Sequence, residues 1–65
     1  IEDAQIYLVA SLPLVGREKA ISILKSYQTP LNALLNVDDW SETVYGLGPI
    51  ISNKAKEVLN TPFKG

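Results

Sequence analysis

The sequence predicts an all-α domain of five short helices, and three observations lead there. Apolar residues recur at i, i+3 and i+4 in successive windows. No run alternates with period two for long enough to make a strand. Breaks containing glycine or proline separate the windows at short intervals.

Taken in order, Ile6, Val9 and Ala10 form the stripe of a first helix over Glu2 to Ser11, which Pro13 closes. Ala20, Ile23, Leu24 and Tyr27 repeat that spacing in a second helix from Arg17 to Tyr27. Thr29-Pro30 reads as an N-cap followed by proline at the first helical position, opening a short third helix through Leu31, Ala33, Leu34 and Leu35. In "DDWSE", Asp39 with Glu42 three residues later has the form of a capping box for a fourth short helix toward Tyr45. Gly46-Leu47-Gly48-Pro49 breaks the chain, and Ile51, Ala55, Val58 and Leu59 make the stripe of a fifth helix that ends before Pro62. Trp40, Tyr7 and Tyr27 are expected in the core or at its edge, and Tyr45, the apolar residue ahead of the turn, is expected inside.

The two breaks superimpose. "SLPLVGREKAISIL" from Ser11 aligns with "TVYGLGPIISNKAKEV" from Thr43, and Gly16 falls on Gly48 at an offset of 32 residues. Each half then reads as helix, tight turn, helix. Ala20 and Ser52 stand four residues after the matched glycines, and both are small, as a close helix crossing requires. One domain over 1–65 is expected, with a first hairpin at about 11–24, connecting helices at about 30–45 and a second hairpin at about 43–59.

Composition narrows the function. A chain of 65 residues buries only about 60% of its unfolded surface, so its core is small. Without cysteine or histidine it has no disulfide framework, no usual zinc ligand set and no histidine-based nucleophile pair. Catalysis is not expected of it. No apolar stretch approaches the roughly 20 residues of a membrane span, and "IEDAQIY" is acidic where a secretory signal is basic, so an intracellular domain is expected. The chain starts at Ile1 and lacks methionine, which reads as a piece of a longer protein. The net charge of −1 hides an uneven distribution: Arg17, Lys19 and Lys25 in one run, Lys54 and Lys56 in another, with Asp38, Asp39 and Glu42 between. Runs this short also read as solvated helix faces.

A glycine turn that runs into a helix leaves backbone N–H groups unpaired at the positive end of the helix dipole, which makes an anion site from main chain alone. Glycine serves there by allowing unusual φ values and by keeping side chains away from a phosphate. Pro49 gives up one donor, while Gly48, Ile50 and Ile51 keep theirs. Two such hairpins related by the repeat are placed to touch both strands of a duplex, recognising phosphate and shape with little reading of sequence.

"LPLVGREKA" and "YGLGPIISNKA" resemble the two hairpins of a tandem helix-hairpin-helix domain. Together with "YQTPLNALLNVDDW" between them, they resemble the C-terminal domain of archaeal XPF-type, structure-specific DNA endonucleases, over nearly the whole chain. The second hairpin follows the family pattern of alternating hydrophobe and glycine through Tyr45, Gly46, Leu47 and Gly48; in the first, Leu14 stands where the earlier glycine is usual. The resemblance implies DNA contacts at Val15, Gly16, Arg17 and Lys19 in the first hairpin and at Gly46, Leu47, Gly48, Asn53 and Lys54 in the second. It also implies a homodimer anchored by Phe63, which follows Pro62 outside the last helix stripe. A sliding clamp is an implied partner through other parts of the parent chain, and no membrane is.

The family's nuclease signature, E-R-K-x-x-x-D, does not occur here, and "REK" at Arg17 to Lys19 lacks its partner acids. The resemblance therefore implies a module that binds DNA and does not cut it, with no cofactor of its own and Mg²⁺ in the parent nuclease. The other reading is a SAM-like protein interaction module, which shares the five-helix layout, needs no phosphate site and suits a pI near 5.1.

Overall fold

All five helices form, and the third alone starts on a side-chain cap. The computed structural model describes every residue from 1 to 65. Helix α1 (Glu2–Ala10) has Glu2 and Asp3 in its first turn, where the helix dipole favours acids. Beyond its end the Ser11 hydroxyl donates to the Leu8 carbonyl at 2.7 Å. Helix α2 (Gly16–Tyr27) follows a tight turn. Helix α3 (Pro30–Leu35) starts as the sequence predicts: Thr29 Oγ1 accepts the Asn32 N–H at 3.1 Å, and Pro30 fills the first position. A 3₁₀ turn (Val37–Asp39) runs into α4 (Trp40–Thr43), and α5 (Pro49–Asn60) completes the chain. There is no strand, and no helix is long and apolar enough to cross a membrane.

The capping box at Asp39 and Glu42 does not form. Asp39 has φ −96° and ψ −1°, continuing the 3₁₀ turn, so it lacks the extended backbone with which an N-cap swings its carboxylate over the helix end. The neighbouring acid Asp38 forms an ion pair with Lys56 at 2.7 Å, tying the 3₁₀ turn to α5.

The helices pack as two groups, α1 with α2 and α3, and the 3₁₀ turn with α4 and α5. Trp40 joins them. It is fully buried, and its indole N–H donates to the Ala33 carbonyl in α3 at 2.8 Å. A second buried bond runs from Ser52 Oγ to the Val37 carbonyl at 2.7 Å, which satisfies that buried hydroxyl. Eleven apolar residues from both groups form a single core, with Ile6, Ala10, Leu24, Tyr27, Leu34 and Ile51 packed at its edge.

With 12 of 65 residues buried, the core is small, and several apolar residues expected inside are outside. Tyr7 lies on the solvent side of α1 at 77% exposure, and Leu31 and Leu35 lie on the outer side of α3. Val58 and Leu59 are exposed because α5 spends its contacts earlier, at Ser52, Ala55 and Lys56; its last turn has no buried residue. Tyr45 is fully exposed. Its neighbours Val44 and Leu47 fill the core at that turn, leaving the side chain between them to point outward.

Candidate nucleic-acid interface

The internal repeat survives folding in specific atoms. In the first hairpin the Val15 N–H donates to the Leu12 carbonyl at 3.2 Å; in the second, 32 residues on, the Leu47 N–H donates to the Val44 carbonyl at 3.2 Å. The same offset pairs the buried residues Leu12 with Val44, Val15 with Leu47, Ala20 with Ser52, and Ile23 with Ala55. It also pairs two left-handed residues, Leu14 at φ 67° and Gly46 at φ 83°. Leucine thus adopts in the first turn the conformation that glycine supplies in the second, at the steric cost of a Cβ in the left-handed region.

The glycines matched at the start of the repeat differ. Gly16 has φ 69°, whereas Gly48 has φ −86° and ψ 168°, an extended conformation open to any residue. The turn's need for unusual φ is therefore met by Gly46, and conformation does not explain the glycine at 48. Space does not explain it either, since a Cβ built on Gly48 meets no atom within 4 Å.

At the start of α5 the N–H groups of Gly48, Ile50 and Ile51 have no hydrogen-bond partner in the chain, and no side chain caps the helix. The first turn of α5 contains no acid. At the start of α2 the N–H groups of Gly16, Arg17 and Glu18 are also free, but Glu18 places a carboxylate in that turn. Helix dipole and free amides favour an anion at both ends, and Glu18 opposes it at the first. Of the two helix starts, that of α5 is the more favourable for an anion.

The remaining motif residues divide by exposure. Val15 and Leu47 are buried at 3% and 5%, so their side chains belong to the core and only their backbone lies at the turns. Asn53 and Lys54 are exposed on α5, and the Lys54 ammonium lies 3.8 Å from the Glu57 carboxylate one turn on. Arg17 is exposed, Lys19 is half-buried, and neither they nor Lys25 makes an ion pair within 4.0 Å. Arg17 and Lys25 line a groove of about 390 Å³ between α1 and α2, with Ile6 and Leu24 along it and Glu2 and Asp3 opposite. These acids set an unfavourable potential for phosphate on that side of Arg17. Phe63 is 95% exposed beyond α5, outside the chain's own core.

Two features were not legible in the residue pattern. The turns carry exposed apolar side chains, Leu14 at the first and Tyr45 and Ile50 at the second. The acidic wall opposite Arg17 comes from α1, and only the crossing of α1 over α2 brings it there. No family model, curated protein or solved structure matches the chain significantly.

Proposed function

We propose that the chain is a tandem helix-hairpin-helix module that grips the DNA phosphate backbone without reading sequence, and that it serves a structure-specific repair endonuclease as its DNA-binding and dimerisation part. The observation that carries this reading is the repeated turn, with its matching hydrogen bond and left-handed residue, placed ahead of a helix whose first amides are free. Free amides at a helix start suit phosphate oxygens, and two such turns suit the two strands of a duplex. The glycine at 48, needed for neither φ nor space, keeps the approach to those amides clear. The second hairpin leads, with Lys54 and Asn53 flanking it; the first contributes less because of Glu18, Glu2 and Asp3.

In this reading the domain leaves DNA uncut. Cleavage and its Mg²⁺ belong to other parts of the parent protein. Phe63 anchors a second copy of the chain, adding buried apolar area to a domain whose own core is small; a fully buried phenylalanine contributes about 1.5–3 kcal/mol.

A titration of fluorescently labelled forked and plain duplex DNA at two salt concentrations tests the function. The expected Kd lies at roughly 10⁻⁴–10⁻⁶ M at physiological salt and rises steeply with salt. No binding, or binding indifferent to salt, rejects the DNA reading. Sedimentation of the purified domain tests the dimer: Phe63→Ala is expected to move the mass toward monomer.

The exposed apolar side chains at the turns, Leu14 at the first and Tyr45 and Ile50 at the second, favour a second reading, a SAM-like module that binds another protein. That reading predicts a folded domain with no affinity for DNA in the same titration.

A further inference from the structure

The dipeptide Thr-Pro occurs twice, each time with an exposed, extended threonine, but one copy leads into a helix and the other follows one. Thr29 is the N-cap of α3, its hydroxyl oxygen holds the Asn32 N–H, and Pro30 is already helical. Thr61 follows α5 with φ −83° and ψ 126°, and residues Thr61, Pro62, Phe63 and Lys64 are all exposed and outside any helix. The Thr61 hydroxyl donates to the Glu57 carbonyl at 2.6 Å, and the Thr61 N–H donates to the same carbonyl at 3.0 Å.

We propose that Thr61 is an acceptor site for a proline-directed serine/threonine protein kinase, and that a phosphate there unwinds the last turn of α5. Phosphoryl transfer depends on positioning: the acceptor oxygen must reach the γ-phosphorus in line, so the acceptor's backbone has to enter a cleft extended and free of its own domain. At Thr61 the residues that must follow into the cleft, Pro62 to Lys64, lie outside any helix, so only the two bonds to the Glu57 carbonyl have to open; at Thr29 the residues that follow are the first turn of α3, which would have to unwind. Pro62 presents no N–H, which suits a pocket lacking an acceptor at that position, and Lys64 offers a cation to an acidic subsite. In the reaction Oγ1 bonds to the γ-phosphorus of a nucleoside triphosphate and the bond to the β-bridging oxygen breaks. The nucleoside diphosphate leaves, and the hydroxyl proton passes to the kinase's catalytic aspartate.

The consequence follows from where Thr61 sits. A phosphate carries about −1.5 to −2 charges at neutral pH, and here it would stand at the negative end of the α5 dipole, one turn after Glu57. The last turn of α5 has no basic residue to offset it. Esterification also removes the proton that Oγ1 donates to the Glu57 carbonyl. Val58 and Leu59, already exposed, add little packing to hold that turn. This inference is independent of DNA binding, and it applies to the chain with Phe63 undocked, since the proposed dimer anchor lies between Pro62 and Lys64.

The test treats the folded 65-residue chain with a proline-directed kinase and Mg-ATP, and locates the phosphate by tandem mass spectrometry. Peptides spanning residues 25–34 and 57–65 are treated alongside. Both peptides are expected to be modified, whereas in the folded chain Thr61 is modified at least about tenfold faster than Thr29, which must wait for local opening of α3. Thr61→Ala is expected to abolish the fast incorporation. The phosphorylated chain should lose helix signal in circular dichroism equivalent to about one turn, roughly four residues. A 57–65 peptide that the kinase ignores, or equal rates at Thr61 and Thr29 in the folded chain, overturns the acceptor assignment. Full modification with an unchanged helix signal overturns the unwinding.

Discussion

Gly48→Asp separates folding from phosphate binding with opposite signs. Gly48 is the N-cap of α5, in the extended conformation that an N-cap aspartate prefers, and a side chain there enters open space. Its carboxylate is placed to accept one of the free N–H groups of Ile50 or Ile51 and to sit at the positive end of the helix dipole. Glycine and aspartate differ by only a few tenths of a kcal/mol as caps, and the charge adds about 0.3–1 kcal/mol at an exposed helix start. The variant is therefore expected to be more stable by about 0.3–1 kcal/mol, raising the midpoint by roughly 1–8 °C in a domain of this size. Emission from the single, fully buried tryptophan, Trp40, reports the melt.

The same carboxylate occupies the place proposed for a phosphate oxygen and repels it. A hydrogen bond to a charged group contributes about 1.5–3 kcal/mol, so losing one raises Kd by roughly tenfold to a hundredfold. The slope of log K against log salt becomes shallower by about one unit if one phosphate contact goes. Anisotropy of a labelled duplex at two salt concentrations measures both. A variant that melts as expected and binds DNA as tightly as the parent refutes the assignment of phosphate to the start of α5. Because the fold is expected to gain stability, unfolding is not an available explanation for lost binding.

Three further substitutions test the backbone and the core. Gly46→Ala puts a Cβ at φ 83° and is expected to cost about 1 kcal/mol, lowering the midpoint by roughly 4–8 °C; an unchanged midpoint would show that the second turn does not hold that residue left-handed. Gln28 caps α2 at φ 71° and ψ −35°, with the Thr29 N–H on the Tyr27 carbonyl at 2.9 Å, a strained three-residue turn for a residue with a Cβ. Gln28→Gly relieves about 1–2 kcal/mol of strain against about 0.5–1 kcal/mol of extra chain entropy, so the urea midpoint should rise at constant slope, and a fall would contradict the turn geometry. The Tyr27 Oη is buried with no hydrogen-bond partner, so Tyr27→Phe is expected to leave stability equal or raise it by about 1 kcal/mol; destabilisation would reveal a partner for that hydroxyl.

Helix positions were legible because they rest on local chemistry. The Thr29-Pro30 start of α3 depends on a hydroxyl three residues from an amide, and that relation holds wherever the helix goes. The stripe of α2 was legible for the same reason, since Ala20 and Ile23 lie on one face by helical geometry alone. The repeat was also visible, because equal spacing between like residues needs no knowledge of contacts. The candidate site was visible only in outline. Motif position pointed to Val15 and Leu47 without distinguishing their buried side chains from their exposed backbone, and it pointed to Arg17 without Glu2 and Asp3 across the groove.

By itself, the sequence determined an all-α chain of five helices, the starts of α3 at its threonine cap and of α5 at its proline, and the 32-residue offset between two glycine turns. Tertiary structure decided which apolar residues a small core has room for, so that Tyr7, Leu31, Leu35 and Tyr45 stand outside it. It also decided that Asp38 meets Lys56, that Trp40 reaches the Ala33 carbonyl, and that the left-handed φ falls on Leu14, Gly16 and Gly46 but not on Gly48. The physical reason is range. Helix hydrogen bonds and caps act within about four residues along the chain, whereas burial, ion pairing and the angle at which one helix leaves another depend on groups that become neighbours only when the whole chain has packed.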